Sequence, residues 1–240
     1  MLNAFRDFVK EYQSQFALLG VQLIWTRKIT EALEAKQKDR KSEFQKKKAD
    51  ITKIMNELTA MCLEDIKTKL ERTKIETLVT IHVHQVGLTS MIQDGVNSRK
   101  IDGITDFEWQ KNTRFYRDQE KNDIKVCITD VSLFYQYEFL GVKERLCVTP
   151  LTDRCYITLS QALGMNFGGS PAGPAGTGKT ETVKDLGRSL GIWVVVQNCS
   201  PEFKMAYMGK IFKGLCMSGL WGCFDEFNRI SLPTLSVVAA

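Results

Sequence analysis

Apolar residues recur three or four positions apart, or at sums of those steps, through Ile51, Ile54, Leu58, Met61 and Ile66, the spacing that lines one face of a helix. Around them, Thr30 to about Thr73 is dense in charge and holds neither glycine nor proline, so one long helix, or two, is expected there. The repeat is weak before Phe44, which favours a helix packed on a helical neighbour over a coiled coil. Met1 to Trp25 also reads as mainly helical, with Phe5, Phe8 and Val9 forming one apolar stripe. Thr77 to His84 (TLVTIHVH) reads as a strand or as an apolar turn of helix. After about Gly141 the pattern changes: glycines become frequent and short apolar runs alternate with helical segments, the alternation of a parallel α/β sheet. The domain boundary is therefore expected between Glu138 and Arg145, dividing the chain into residues 1–141 and 142–240.

Composition adds limits. The 240 residues have the apolar and charged fractions of an ordinary folded protein, so disorder is not the expectation. A net charge of +5 would suit an acidic partner. Much of that excess, however, sits in Lys36 to Lys48, interleaved with Glu34, Asp39 and Glu43, which reads as a solvated helix face and not as a nucleic-acid surface. The seven cysteines are scattered without a CxxC pair, the pattern of a reducing compartment. His82 and His84 are the only two histidines, and with no flanking acid or cysteine they do not close a metal site. Phe107, Trp109, Phe115 and Tyr116 read as packing anchors. No membrane span and no secretory signal is expected.

Chemistry concentrates in the second half. Gly173-Pro174-Ala175-Gly176-Thr177-Gly178-Lys179-Thr180 matches GxxxxGK[ST] in full. Such a loop turns consecutive backbone N–H groups toward phosphate oxygens, and the helix after it presents its positive end to them. A side chain at Gly176 or Gly178 would crowd that space. Lys179 would bring a point charge to the β and γ phosphates, and the Thr180 hydroxyl would ligate Mg²⁺. Glu181 to Leu190 continues as an amphipathic helix, and Gly191 breaks it before the apolar run Ile192 to Val196, the loop, helix, strand order of a P-loop unit. Leu220 to Phe224 then leads into Asp225-Glu226. Two adjacent carboxylates at the end of a buried strand are costly unless a cation and a water use them. In that arrangement Asp225 serves the metal and Glu226 the attacking water, which points to hydrolysis and not to transfer onto another acceptor.

GPAGTGKTET at Gly173 to Thr182, together with CFDEFNRI at Cys223 to Ile230, resembles the first AAA+ module of dynein heavy chains. TPLTDRCY at Thr149 to Tyr156 looks like the entry to that module. DFEW at Asp106 to Trp109, Tyr135-Gln136, EFLG at Glu138 to Gly141 and IHVHQ at Ile81 to Gln85 are similar to the family's linker. WTR at Trp25 to Arg27 and LGMNFGG at Leu163 to Gly169 look axonemal, of outer-arm type. The resemblance implies an α/β P-loop NTPase of AAA+ type, truncated at Ala240, preceded by a mainly helical linker segment. It implies ATP and Mg²⁺ as ligands and Leu146 to Leu151 against the adenine, with Val148, Pro150 and Leu151 among the contacts. By resemblance, too, the parent is a microtubule motor of the cytoplasm, cytoskeleton and ciliary axoneme, partnered by intermediate, light intermediate and light chains. Microtubules would be met only through other parts of that parent, and neither nucleic acid nor membrane is an implied partner. The alternative is a short non-motile product that only binds nucleotide or associates with axonemal chains. One departure from the family pattern is Pro201 and the diverged stretch to Met208, where relatives usually carry an acidic residue.

Overall fold

Helices dominate the first half of the chain: Leu2–Glu11 (α1), Ser14–Glu34 (α2), Arg40–Leu63 (α3) and Lys69–Asn97 (α4), followed by the single turn Phe107–Gln110 (α5). This computed structural model describes residues 2–64, 68–174 and 176–239. The glycine-free stretch from Thr30 to Thr73 is thus shared by three helices. α2 ends at Glu34 although no glycine or proline stops it. The reversal lets Leu33 and Phe44 enter the same buried cluster, and the Arg40 guanidinium donates to the Asp102 carbonyl at 2.8 Å just beyond the turn. Ile66, last in the apolar repeat, lies outside the described residues.

Of the two readings of TLVTIHVH the helical one holds and the strand does not: the segment is the middle of α4. Thr68 caps that helix by accepting from Glu71 N at 3.2 Å, a favourable start. Ile75, Leu78, Ile81, Gln85, Thr89, Ile92 and Val96 are buried along it, steps of three and four that keep one face inward. The local run of β-branched residues favours a strand, but the longer helical period wins because it buries a continuous stripe. Two apolar clusters result, one around Trp25, Phe44 and Trp109 and one around Val9, Leu58 and Leu78. The Trp25 indole also donates to Thr89 Oγ1 at 3.0 Å.

An antiparallel meander follows: Arg114–Asp118 (β1), Asp123–Ile128 (β2) and Val131–Phe134 (β3). Phe115 pairs with Val126 and Val126 with Leu133, and Asn122 and Thr129 take positive φ in the two connections. Phe115 and Trp109 are buried as expected of anchors, whereas Phe107 is exposed. Pro150–Gly164 (α6) starts from a capping box between Thr149 and Thr152 and packs on this meander. A Cβ on Gly164 would stand 2.9 Å from Val131 Cγ2.

The chain separates into two contact-dense units. One comprises Met1–Tyr135 with Leu140–Pro171, the other Gln136–Phe139 with Ala172–Ala240. α6 therefore stays with the first unit, although the sequence boundary assigns it to 142–240. The second unit holds Lys179–Leu190 (α7), Val194–Asn198 (β4), Met205–Ser218 (α8), Trp221–Asp225 (β5), a 3₁₀ turn at Phe227–Arg229 and Leu232–Ala239 (α9). β4 and β5 run parallel, joined through α8 as a parallel pair requires, and this unit has the α/β character expected of it. Among the described residues, no helix is long and apolar enough to cross a membrane.

Candidate nucleotide-binding site

The GxxxxGK[ST] residues form a loop that ends in the first turn of α7. Gly176 and Gly178 have φ of +76° and +78°, a region open to glycine and strained for other residues. A Cβ at either would meet nothing within 4 Å. Within the chain itself, then, the backbone angle demands glycine there, and the space beside it is open. Gly178 is the N-cap of α7 and makes no side-chain cap, so N–H groups of the first turn are left for another partner. Ala175 lies outside the described residues.

Lys179 folds back onto its own loop, donating from Nζ to the carbonyls of Gly173 at 2.9 Å and Pro174 at 2.6 Å. Thr177 Oγ1 donates to the same Pro174 carbonyl at 2.9 Å. One residue on, the Thr180 hydroxyl donates to Asp225 Oδ2 at 2.8 Å. That bond joins the first turn of α7 to the end of β5. Register explains it: Asn198 faces Asp225 across the parallel pair, and Cys199 N donates to the Asp225 carbonyl at 2.9 Å. α7 lies close against the same pair, with Gly187 so near β4 that a Cβ would stand 2.3 Å from Val194 Cγ2. A hydroxyl and a carboxylate meeting at one point form the oxygen-rich donor set that suits Mg²⁺, an ion that keeps waters and shares phosphate oxygens. Two such ligands are fewer than the three His, Cys, Asp or Glu of a protein-only metal cluster, of which there is none among the described residues.

Asp225 Oδ1 accepts from Glu226 N at 3.0 Å. Glu226 itself is exposed and holds φ of +53°, and its carboxylate is ion-paired to Arg229 at 2.8 Å across the 3₁₀ turn. The pairing of Glu226 with Arg229 was not read from the sequence, although the spacing of three residues is a signal for it. Cys199 follows the end of β4 and Cys223 sits in the middle of β5, and burial followed by the nearby Asp225 charge pushes both thiols up. They stay protonated and neutral beside the carboxylate. Of the expected adenine contacts, Val148 is half-buried, Pro150 opens α6, and Leu151 on its first turn is 70% exposed. All three belong to the first unit. His82, on α4, is buried and shares a small cavity with Val21, Trp25 and Ile51 and with Lys28 and Gln85.

Residues 135–240 match the family model described as the hydrolytic ATP-binding site of the dynein motor region. Over 232 residues, 97% of its length, the chain is 53% identical to dynein axonemal heavy chain 8 of Mus musculus. It is 52% identical to dynein axonemal heavy chain 5 of Rattus norvegicus and 51% identical to the dynein gamma chain of the flagellar outer arm of Chlamydomonas reinhardtii, over 233 residues each, again 97% of its length. The chain spans only 5% or 6% of the length of these relatives. The loop at Gly173 to Thr180, the carboxylates at its side and the sequence identity on both sides of them agree: the chain belongs to the axonemal dynein heavy-chain family and corresponds to one segment of such a chain.

Proposed function

We propose that the chain serves as the ATP-binding segment of an axonemal dynein heavy chain, a microtubule motor ATPase of cilia and flagella. The bond from Thr180 to Asp225 carries this reading. It brings the hydroxyl that follows the phosphate loop to within 2.8 Å of the carboxylate at the strand end. Val148, Pro150 and Leu151 are proposed to flank the adenine, with residues 142–240 acting as the nucleotide module and 1–141 as the end of the helical linker.

Within the site, the Gly173 to Thr180 backbone wraps the phosphates and Lys179 exchanges its two carbonyl partners for phosphate oxygens. Thr180 and Asp225 together would hold Mg²⁺, which when bound would neutralise phosphate charge and fix its orientation. Glu226 is the group placed to accept a proton from water, and to do so its carboxylate must leave Arg229. Contact of the parent with microtubules and with intermediate, light intermediate and light chains is proposed through other parts of the heavy chain.

Replacing Glu226 by Gln in a heavy chain that carries this segment keeps the shape and removes the base. General bases contribute about 10²- to 10⁴-fold to rate, so single-turnover hydrolysis at this site should fall by at least about 10² while nucleotide binding persists. Equal hydrolysis rates in Glu226→Gln and wild type would remove Glu226 from this role.

A further inference from the structure

Gln15 stands on the first turn of α2 and its amide joins two points far along the chain. Nε2 donates to Tyr135 Oη at 2.8 Å, and Oε1 accepts from Leu140 N at 3.0 Å. A backbone N–H can only donate, so the Leu140 bond fixes which amide atom faces it. Tyr135 and Leu140 are the two ends of the excursion Gln136–Phe139, the only stretch in which the chain leaves the first unit before Pro171. Within the excursion, Gln136 N donates to the Leu190 carbonyl at 3.0 Å and Glu138 N to the Gly191 carbonyl at 2.9 Å. Leu190 is the last residue of α7, and its carbonyl is one of those that a helix end leaves without an internal partner. The excursion therefore seals the C-terminal end of the helix whose N-terminal end carries Lys179. Tyr137, at its centre, holds φ of +56° and Gly141, just past it, +68°. A non-glycine residue at positive φ persists only where its surroundings fix it.

We propose that Gln15 is a remote positioning residue: it clasps both ends of the excursion and so holds that loop in the shape in which its N–H groups meet the last carbonyls of α7. None of these bonds involves the loop's ligand, so the role stands apart from the nucleotide reading. Tyr135 is buried and Gln15 half-buried, so water replaces neither bond freely.

Amide hydrogen exchange on the 240-residue chain tests this. Gln15→Ala should speed exchange at Leu140, its direct partner, and also at Gln136 and Glu138, whose N–H groups donate to the Leu190 and Gly191 carbonyls, by on the order of ten-fold. Gln15→Glu should restore protection at Leu140, because a carboxylate oxygen accepts from Leu140 N as the amide oxygen does. Tyr135→Phe, which removes one bond and keeps the ring, should give a smaller increase at the same three amides; it decides the matter if Gln15→Ala also loosens the core amides of α2. Unchanged protection at Gln136 and Glu138 in Tyr135→Phe and Gln15→Ala overturns the proposal, as does failure of Gln15→Glu to restore protection at Leu140.

Discussion

His82 is 3% exposed and neither ring nitrogen has a hydrogen-bond partner. Burial, and secondarily the Lys28 charge, lower its pKa to about 4. The folded form thus holds the neutral ring while the unfolded chain takes a proton near the ordinary value of about 6.5. Because the folded pKa is the lower one, stability is present above about 6.5 and is lost as pH falls toward 4. The loss attributable to this residue is on the order of 3 kcal/mol. Denaturant unfolding of wild type and His82→Leu should show it as a difference in slope with pH; parallel curves between pH 7 and 4 would remove the effect. At the site, Asp225→Asn should abolish the Mg²⁺-dependent part of nucleotide affinity and leave the Mg²⁺-independent part, as measured by titration with and without the ion. The phosphate loop was legible because its chemistry lies in eight contiguous residues, and so was the carboxylate pair. The partners those groups adopt, Lys179 on loop carbonyls and Glu226 on Arg229, were not. They depend on backbone turns that a residue string does not specify.

Elements were legible where one signal dominated and illegible where two competed. α7 and the two parallel strands fell where glycine breaks and apolar runs put them, within a residue or two. TLVTIHVH left strand and helix both open because its eight residues fit either, and only the longer period of the 29-residue α4 decides for helix. The meander at Arg114 to Phe134 went unread, hidden in charged sequence, although DIKVCI alternates and Asn122 and Thr129 mark its turns. Gly187 shows what element packing demands of a single position. A Cβ there would meet Val194 Cγ2 at 2.3 Å and the Ile192 carbonyl at 3.3 Å, and valine is stiff at χ1. Gly187→Ala should therefore force α7 away from β4 and destabilise the unit by about 1–3 kcal/mol, read as a lower midpoint in thermal unfolding. An unchanged midpoint would mean the contact relaxes freely.

At the level of the whole chain, the parallel pair is incompletely covered. Every residue of β4 and β5 is half-buried or exposed, whereas parallel strands are normally buried on both faces. Steady-state phosphate release by residues 1–240 alone is expected near background, and turnover of about one per second or faster would contradict the proposal that full activity belongs to a longer heavy chain. Binding is a lesser demand than turnover, because it needs only the loop, α7 and Asp225. The most direct measurement is an NMR titration of the 240-residue chain with a non-hydrolysable Mg²⁺·ATP analogue, wild type beside Lys179→Ala. Loss of a charge-assisted contact worth about 1.5–3 kcal/mol predicts affinity lower by roughly ten-fold to over a hundred-fold, with the wild-type shifts centred on Gly173 to Thr180. Equal affinity in the two proteins, or shifts elsewhere, would contradict the site.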